Sequence, residues 1–330
     1  MTRTTQIARR LAMAALAMAV QVAFAQTRYR VVPMPLVAAE PHAMNSSGKM
    51  LASDSQTGAY FLCTKGACRV LPRDHNYEYR QWEDLNDLGM LTGYKAGPGD
   101  KHWAVRMDTS SDGEVQFLTP GGGWAIAPDG AVIGFTRESS AFLYTDHRID
   151  LSGLARSPRP WAINSHHVIV GTSLTADNRE HATMWVDGGP PQDMGTAPGH
   201  TESWALAVND AGVAVGMSRV RYPLNLPARF VDGNVQVILL PRSSDTGEAT
   251  AINNAGTIVG WFYQPSLNRY AGGIVEGDSM IDLNRRLRRK DAGRYLIVSA
   301  LRINDAGQIA ATAINPQTGI ERAVRLEPVD

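Results

Sequence analysis

The sequence lacks the motifs that identify common enzymes. It has no G-x-S-x-G elbow, no H-E-x-x-H pair, no phosphate-binding G-x-x-x-x-G-K-[ST] loop and no Cys/His set at zinc spacing. We therefore expect no bound metal and no cofactor. Cysteine is scarce too, because only Cys63 and Cys68 occur among 330 residues. In an oxidising compartment a close pair of this kind predicts one local disulfide.

Neither sign of charge is in excess. Lys and Arg number 32 and so do Asp and Glu, which gives a formal net charge of zero. Without a global field, nothing draws the chain to nucleic acid or to an anionic membrane, so we expect no nucleic-acid partner. The one basic run, residues 285–290, is interpreted as a solvated loop. An apolar fraction of 44% excludes general disorder.

The apolar run near the N-terminus, residues 11–23, is too short to span a bilayer. Three arginines precede it, and Ala23 and Ala25 supply the small residues of a signal-peptidase site. Residues 1–25 are therefore interpreted as a secretory signal peptide, with the mature chain beginning at Gln26. We expect a periplasmic or secreted protein with no membrane span. No cysteine follows the cut closely enough to suggest a lipid anchor.

A short motif recurs seven times in the rest of the chain. Its clearest copy is A-I-N-N-A-G-T-I-V-G at residues 251–260. The anchor positions, occupied by Asn in all copies but one, are Asn45, Asn86, Ala127, Asn164, Asn209, Asn253 and Asn304. Their spacing of 37 to 51 residues is typical of one four-stranded propeller blade.

Each position of the motif has a structural reason. An apolar residue before the anchor ends a short strand, and the anchor Asn opens a tight turn by bonding nearby backbone. A Gly three positions later can take the positive φ that closes the turn. A Gly seven positions after the anchor implies close approach of another backbone. Asp232-Gly233, between alternating apolar runs, marks a second hairpin in the unit. The pattern predicts an all-β, seven-bladed β-propeller of four-stranded blades, forming one domain over residues 26–330.

The ends of the chain predict how the ring closes. The last copy stops after its third strand, whereas residues 29–36 precede the first anchor without a partner. We expect this N-terminal segment to be the outer, fourth strand of the last blade. Pro33 and Pro35 fit an edge strand, where a missing N–H is tolerated. The two cysteines flank a hairpin turn between the third and fourth strands of blade 1, which places them within bonding range.

The pattern A-I-N-x-x-G-x-I-V-G, followed by W-x-D-G and D-L, resembles the HAF repeat of exported bacterial proteins. Residues 282–307 are similar to that family's last repeat, and the resemblance covers about residues 41–330. This sequence departs from the pattern at Asp84, Ala127, His167 and Arg302. The resemblance implies export and a propeller-like fold, and it brings no defined activity.

Four tryptophans stand three to five residues before an anchor in consecutive copies. They are Trp82, Trp124, Trp161 and Trp204. A repeated position is often a packing position, so inter-blade packing is one interpretation. The other is a shallow aromatic funnel on the rim opposite the Asn turns, with Tyr222 and Tyr263 on its border, because variable loops on a uniform scaffold usually carry binding.

The funnel hypothesis predicts a monomeric binding protein for an extracytoplasmic ligand such as a glycan or a peptide. The alternative is a hydrolase or lyase acting on an extracellular polymer, since propellers host such enzymes. Convergent carboxylates in the funnel would favour the enzyme, whereas an aromatic, carboxylate-poor funnel would favour binding. A purely structural assembly module is the third possibility.

Overall fold

The computed structural model describes residues 27–35, 39–64, 67–71, 80–97, 102–110, 114–136, 138–221, 223–242 and 244–329. The expected signal peptide and its cut before Gln26 lie outside these ranges. Within them, no helix is long and apolar enough to cross a membrane.

The described residues form seven four-stranded antiparallel sheets, which are the blades of a β-propeller, as predicted. Blades 1 to 3 contain β2 to β5 (Ala39–Met44, Met50–Asp54, Tyr60–Thr64, Ala67–Val70), β6 to β9 (Arg80–Leu85, Met90–Ala96, His102–Asp108, Val115–Pro120) and β10 to β13 (Gly122–Ile126, Val132–Phe135, Ala141–Tyr144, Arg148–Leu151). Blades 4 and 5 contain β14 to β17 (Arg156–Ile163, Val168–Leu174, Glu180–Val186, Gln192–Asp193) and β18 to β21 (Glu202–Val208, Ala214–Arg221, Leu224–Val231, Asn234–Val237). Blade 6 contains β22 to β25 (Gly247–Ile252, Ile258–Gln264, Arg269–Glu276, Ser279–Asp282), and blade 7 contains β26 to β28 (Leu296–Ile303, Ile309–Ile314, Glu321–Val329) with β1 (Arg28–Pro33).

The anchor residues form the predicted turns between the first and second strands of each blade. In blade 5, Gly212 has a φ of 78° and donates its N–H to the Asn209 carbonyl at 3.0 Å. The Asn209 side-chain oxygen accepts from Val213 N at 3.0 Å. His167, which replaces the turn Gly in blade 4, also has a positive φ of 52°. We call the rim that carries these seven turns the turn rim and the opposite one the loop rim.

The same side chains join each blade to the next. The Asn209 amide donates to the Asn253 carbonyl at 3.2 Å, and Asn253 donates to Asn304 at 3.0 Å. Asn304 donates to the Asn45 carbonyl at 3.1 Å, so this amide relay crosses from the last blade to the first. Blades 1, 2 and 4 repeat the contact. Six of the seven anchors therefore each satisfy a turn and an inter-blade bond while buried.

Blade 3 cannot extend the relay because its anchor is Ala127. A different contact spans that junction: His167 Nε2 in the blade 4 turn lies 2.8 Å from Asp129 Oδ2 in the blade 3 turn. Burial disfavours the charged Asp129 carboxylate, but the Ala131 N–H and His167 outweigh it and lower the Asp129 pKa. The departures at Ala127 and His167 thus fall on one junction, where the His167–Asp129 side-chain contact replaces a buried amide bond.

The apolar core is divided among the junctions between blades. Seven separate clusters of buried side chains occur, and each is contributed by two neighbouring blades. Between blades 1 and 2, for example, Leu51 and Leu62 pack with Trp82 and Leu91. A blade therefore has no core of its own, and its stability depends on both neighbours.

A β-bulge recurs in the first strand of every blade. In blade 5, Ala205 pairs with Gly216 and Ala207 pairs with Val215, so Leu206 is left between them. At the bulge, the Trp204 carbonyl oxygen lies so close to Gly216 that a Cβ on that residue would overlap it. The expected close approach at this Gly is confirmed, and the neighbour is the blade's own bulged strand rather than another blade.

The N-terminal strand closes the ring as predicted. β1 pairs antiparallel with β28, from Arg28 opposite Val329 to Pro33 opposite Val324. The Arg30 guanidinium binds Glu327, and the backbone N–H of Val31 donates to Asp291 at 3.2 Å. Part of the basic run, residues 285–290, also holds β1 in place, because its Leu287 is buried against the β1 side chains.

The hairpin of β4 and β5 carries the predicted disulfide. Cys63 and Cys68 are directly opposed in its register, and their sulfurs are bonded. Cys63 is 1% exposed and belongs to the cluster between blades 7 and 1. The two cysteines are five positions apart, so the closed loop is short and the expected stabilisation lies at the low end of ~2–4 kcal/mol.

Removing β1 should destabilise the ring. A chain that begins at Ala39 loses the buried side chains of Tyr29, Val31 and Met34, each worth ~1.5–3 kcal/mol. We expect a melting temperature lower by roughly 10 °C or more, measured by calorimetry. A chain that begins at Thr27 keeps β1 and serves as the control. Equal melting temperatures for the two chains would show that β1 does not hold the last blade.

Candidate functional site

The first strands of all seven blades line a central channel with a volume of about 460 Å³. The bulge in each strand turns one side chain toward the channel axis, which is a common use of bulges beside binding sites. This bulge ring consists of His42, Glu83, Trp124, Trp161, Leu206, Thr250 and Leu301. Each member stands three residues before its anchor, so one register position supplies the whole ring.

The bulge ring is chemically asymmetric although its backbone frame repeats. Blades 7, 1 and 2 are neighbours and contribute a charged arc of His42, Glu83, Asp84 and Arg302. Blades 3 and 4 contribute an aromatic arc of Trp124 and Trp161. Leu206, Thr250 and Leu301 complete the ring from blades 5 to 7. A scaffold of repeated blades needs no such differences, so this position varies independently of the fold.

The aromatic arc is a connected group of rings. The Trp124 and Trp161 ring centroids lie 5.0 Å apart with the rings 72° to one another, which is an edge-to-face contact. Phe135 lies 5.5 Å from Trp124 and supports it from β11. Both tryptophans stay partly exposed. The indole Nε1 of Trp161 is buried without a hydrogen-bond partner in the described residues.

A side pocket of about 300 Å³ opens between blades 2 and 3 at the loop rim. Trp124 and Glu83 line both this pocket and the channel, so the two spaces share a wall. Tyr94, His102 and Phe135 form the outer walls. Gly123 lies beside Trp124, and a Cβ there would overlap the Thr92 side chain. The glycine at this position therefore allows β10 to approach β7 closely beside the pocket.

Burial controls the ionisation of the charged arc. It raises the pKa of Glu83 to about 7, with a further increase from the neighbouring Asp84 charge and a smaller opposing effect from Arg302. Burial also lowers the pKa of His42 to about 4, and the Arg302 charge adds to this. His42 is thus neutral at pH 7, and its Nε2 lies 2.7 Å from Ser53 Oγ. The pKa of Glu83 therefore lies close to neutral pH.

Asp84 has a structural role in the charged arc. One carboxylate oxygen accepts from its neighbour Leu85 N at 2.9 Å, and the other accepts from Ile126 N of blade 3 at 3.0 Å. Burial nevertheless raises its pKa. Both oxygens already bond backbone, so Asp84 ties blade 2 to blade 3 while Glu83 remains directed to the channel.

The structure brings together two of the six aromatic residues expected in the funnel. Trp124 and Trp161 are in contact at the channel wall, whereas Trp82 is 2% exposed in the core between blades 1 and 2. Trp204 is 7% exposed and lies beneath the Arg219 guanidinium at 4.2 Å. For Trp204 the bulge is the reason, because it shifts strand parity between positions three and five before the anchor. Trp82 stands four residues before its anchor, so ordinary strand alternation already directs it away from the channel.

The two expected tyrosines have different outcomes. Tyr263 lies on blade 6, away from the channel lining, with its ring 5.2 Å from that of Tyr270 and its hydroxyl bonded to Asn268 at 2.6 Å. Tyr222 lies outside the described residues. The strands on either side of this position are β19, which runs to Arg221, and β20, which begins at Leu224.

Sequence reasoning missed His42, Glu83 and Arg302 as site residues. A signal for them existed, since Asp84 and Arg302 interrupt a position that is otherwise small throughout the repeat. Those interruptions mark the charged arc. The position directly before Asp84 and Arg302, three residues ahead of the anchor, carries side chains of different chemistry from blade to blade. Such variation is expected of a position that faces a ligand.

Neither a protein-family model nor a curated protein matches this sequence. Three solved structures are similar over most of the chain. One, from the Mitotic Checkpoint Complex, is 9% identical, covers 92% of this chain and 96% of its own, and has a TM-score of 0.49. The PQQ-bound aldose sugar dehydrogenase of Streptomyces coelicolor is 13% identical over 92% and 99%, with a TM-score of 0.41. A gluconolactonase of Xanthomonas campestris is 11% identical over 93% and 92%, with a TM-score of 0.43. Similarities of this degree assign no activity here.

The ionisation of Glu83 should be visible in the pH dependence of stability. Its pKa rises from 4.5 to about 7 on folding, so between these values the unfolded chain has lost a proton that the folded protein keeps. The free energy of unfolding therefore falls as pH rises through this window and levels off above it. Glu83→Gln removes the effect, so we expect the variant to gain stability relative to the wild type as pH rises.

Denaturant unfolding at about pH 5 and about pH 8 measures this difference. Glu40→Gln, which removes an exposed carboxylate from the first strand of blade 1, is the matched control. If wild type and Glu83→Gln change in parallel with pH while the control does the same, Glu83 does not titrate in this window.

Proposed function

We propose that this chain is an exported binding protein that takes a saccharide at the loop-rim mouth of the channel. The observation that carries the proposal is the shared wall of Trp124 and Glu83, which places an aromatic face and a carboxyl group at the junction of the side pocket and the channel. Export is supported by the signal-like N-terminus and by the Cys63–Cys68 disulfide. The repeat pattern supports membership of the HAF-repeat family.

The chemistry of the lining suits a sugar ring. Saccharides present an apolar C–H face and a polar edge of hydroxyl groups, and an aromatic face beside hydrogen-bonding groups complements both. Trp124 supplies the face, and Tyr94 and His102 supply polar edges on the far side of the pocket. The carboxyl group of Glu83 can accept a hydroxyl hydrogen bond when ionised and donate one when protonated.

An extended peptide suits this site less well. Peptides that bind to sheets add a strand to a regular exposed edge. The innermost strands of this propeller present their edges to the channel, and the bulge interrupts the register of every one. Recognition therefore depends on side chains such as Trp124 and Trp161, rather than on backbone pairing.

Binding is favoured over hydrolysis because, among the described residues, the part of the channel lined by the bulge ring offers one available carboxylate. Glycosidases use two, one as acid and the other as base or nucleophile. Glu83 and Asp84 are the acidic residues of the channel lining, and both oxygens of Asp84 bond backbone. The hydrolase or lyase alternative draws support from the Glu83 pKa of about 7, which suits proton transfer at neutral pH.

A glycan array that includes peptidoglycan fragments tests the proposal on the mature protein. We expect capture of a saccharide, and we expect Trp124→Ala and Trp161→Ala each to weaken it at least tenfold, or ~1.4 kcal/mol, through loss of stacking area. Phe262→Ala is the control, since Phe262 is fully buried between blades 5 and 6 and does not line the channel. It should cost ~3–5 kcal/mol of stability and leave the folded fraction able to bind.

The same experiment separates the alternatives. Release of a shortened product from the captured saccharide would establish catalysis instead of binding. Capture of peptides but not saccharides would contradict the assignment of ligand class. If Trp124→Ala and Trp161→Ala lose stability but retain full capture, the aromatic arc is packing and the binding site lies elsewhere.

A further inference from the structure

A second concave site lies on blade 7, outside the channel. It has a volume of about 270 Å³. Its lining consists of Arg294, Tyr295, Asn315, Gln317 and Arg322. One wall is the segment that connects β25 to β26, and the other is the hairpin between β27 and β28. Two arginines, two amides and a phenol make a lining that is rich in donors and contains no carboxylate.

The backbone groups in each wall of this pocket form hydrogen bonds within that wall. In the hairpin, Asn315 Oδ1 accepts from Gln317 N at 2.9 Å, and Gly319 N donates to the Asn315 carbonyl at 2.8 Å. In the connecting segment, Arg294 N and Tyr295 N both donate to the Asp291 carbonyl. The two walls are therefore ordered without using the guanidinium groups that face the space between them.

The two arginines differ from their neighbours in having no anionic partner. Nearby, Arg286 binds Glu276, Arg288 binds Asp291 and Arg325 binds Glu327. Arg294 and Arg322 make no side-chain hydrogen bond or ion pair with any residue that the structure describes. Glu321, next to Arg322, is exposed and points to the other face of β28 by strand alternation.

Arg322 is partly buried on a strand that faces the apolar core. On β28 it shares a face with Val324 and Leu326, which are fully buried against blade 6. Its Nε atom is buried and has no hydrogen-bond partner in the described residues. A buried charged donor without an acceptor is costly, and an oxyanion supplies the missing acceptor in the geometry that the guanidinium fork prefers.

We propose that this pocket binds an oxyanion group through Arg294 and Arg322, with the Asn315 and Gln317 amides as additional donors. A carboxylate, sulfate or phosphate group provides the required oxygens. The group comes either as a free inorganic ion or as a substituent of an acidic sugar. The site does not depend on the saccharide site at the channel mouth, because the two share no residue.

Titration calorimetry on the full mature chain tests the proposal with inorganic phosphate, sodium galacturonate and neutral galactose, each at ionic strength matched with sodium chloride. We expect phosphate or galacturonate to bind, and Arg322→Gln and Arg294→Gln each to weaken that binding at least tenfold. Arg289→Gln is the matched control, because Arg289 is exposed in the same connecting segment and does not line the pocket. Its affinity should equal that of the wild type.

The arms of the titration distinguish the sources of the anion. Phosphate binding without galacturonate binding identifies a free inorganic ion, and the reverse identifies an acidic sugar. Arg294→Gln alters only a loop side chain, so it remains informative if Arg322→Gln fails to fold. The proposal is overturned if neither anion binds more tightly than chloride, or if Arg289→Gln weakens binding as much as the pocket variants. Trp124→Ala should leave this binding unchanged, which keeps the result separate from that of the channel site.

Discussion

The architecture depends on one side-chain amide in each of six blades, all but blade 3. Each anchor Asn closes its own turn through its oxygen and reaches the next blade through its nitrogen, as Asn253 does with Thr257 N at 2.8 Å and the Asn304 carbonyl at 3.0 Å. No other amino acid of this size offers an acceptor and two donors on one planar group. Because these groups are buried, leaving either half unpaired is costly, and the turn rim is uniform for that reason.

The uniform turn rim leaves the other end of the channel free to vary. The blades are tied together at the anchors and by the apolar cluster at each junction, so the side chains of the bulge ring three residues earlier can differ in chemistry from blade to blade. Its members range from Glu83 to Trp124 to Leu206 without changing the blade. A repeated frame that holds unlike side chains at one register position provides a recognition site with fixed geometry and adjustable chemistry.

The blade count, the Asn turns, the N-terminal closure and the disulfide could be predicted because each has a local sequence signal, such as Asn-x-x-Gly or a pair of cysteines across a hairpin. The direction of the tryptophan side chains could not. One inserted residue per first strand reverses parity, so Trp204 became buried although plain alternation would place it on the same face as Trp124 and Trp161, which reached the channel. A bulge leaves no mark in a single copy of the motif, and only the residues that break the repeat, Asp84 and Arg302, indicated where the site lies.

The most direct test of the account is the free energy of unfolding of Asn209→Ala against that of Asn234→Ala. Asn209 makes the turn bond to Val213 and the inter-blade bond to Asn253, whereas Asn234 is exposed and reaches only the Asp232 carbonyl within its own hairpin. Removing the Asn209 amide leaves buried partners unpaired in two blades, so we predict a loss of ~2–4 kcal/mol by denaturant unfolding, with little change for Asn234→Ala. Equal stability of the two variants would contradict the claim that the amide relay holds the ring together.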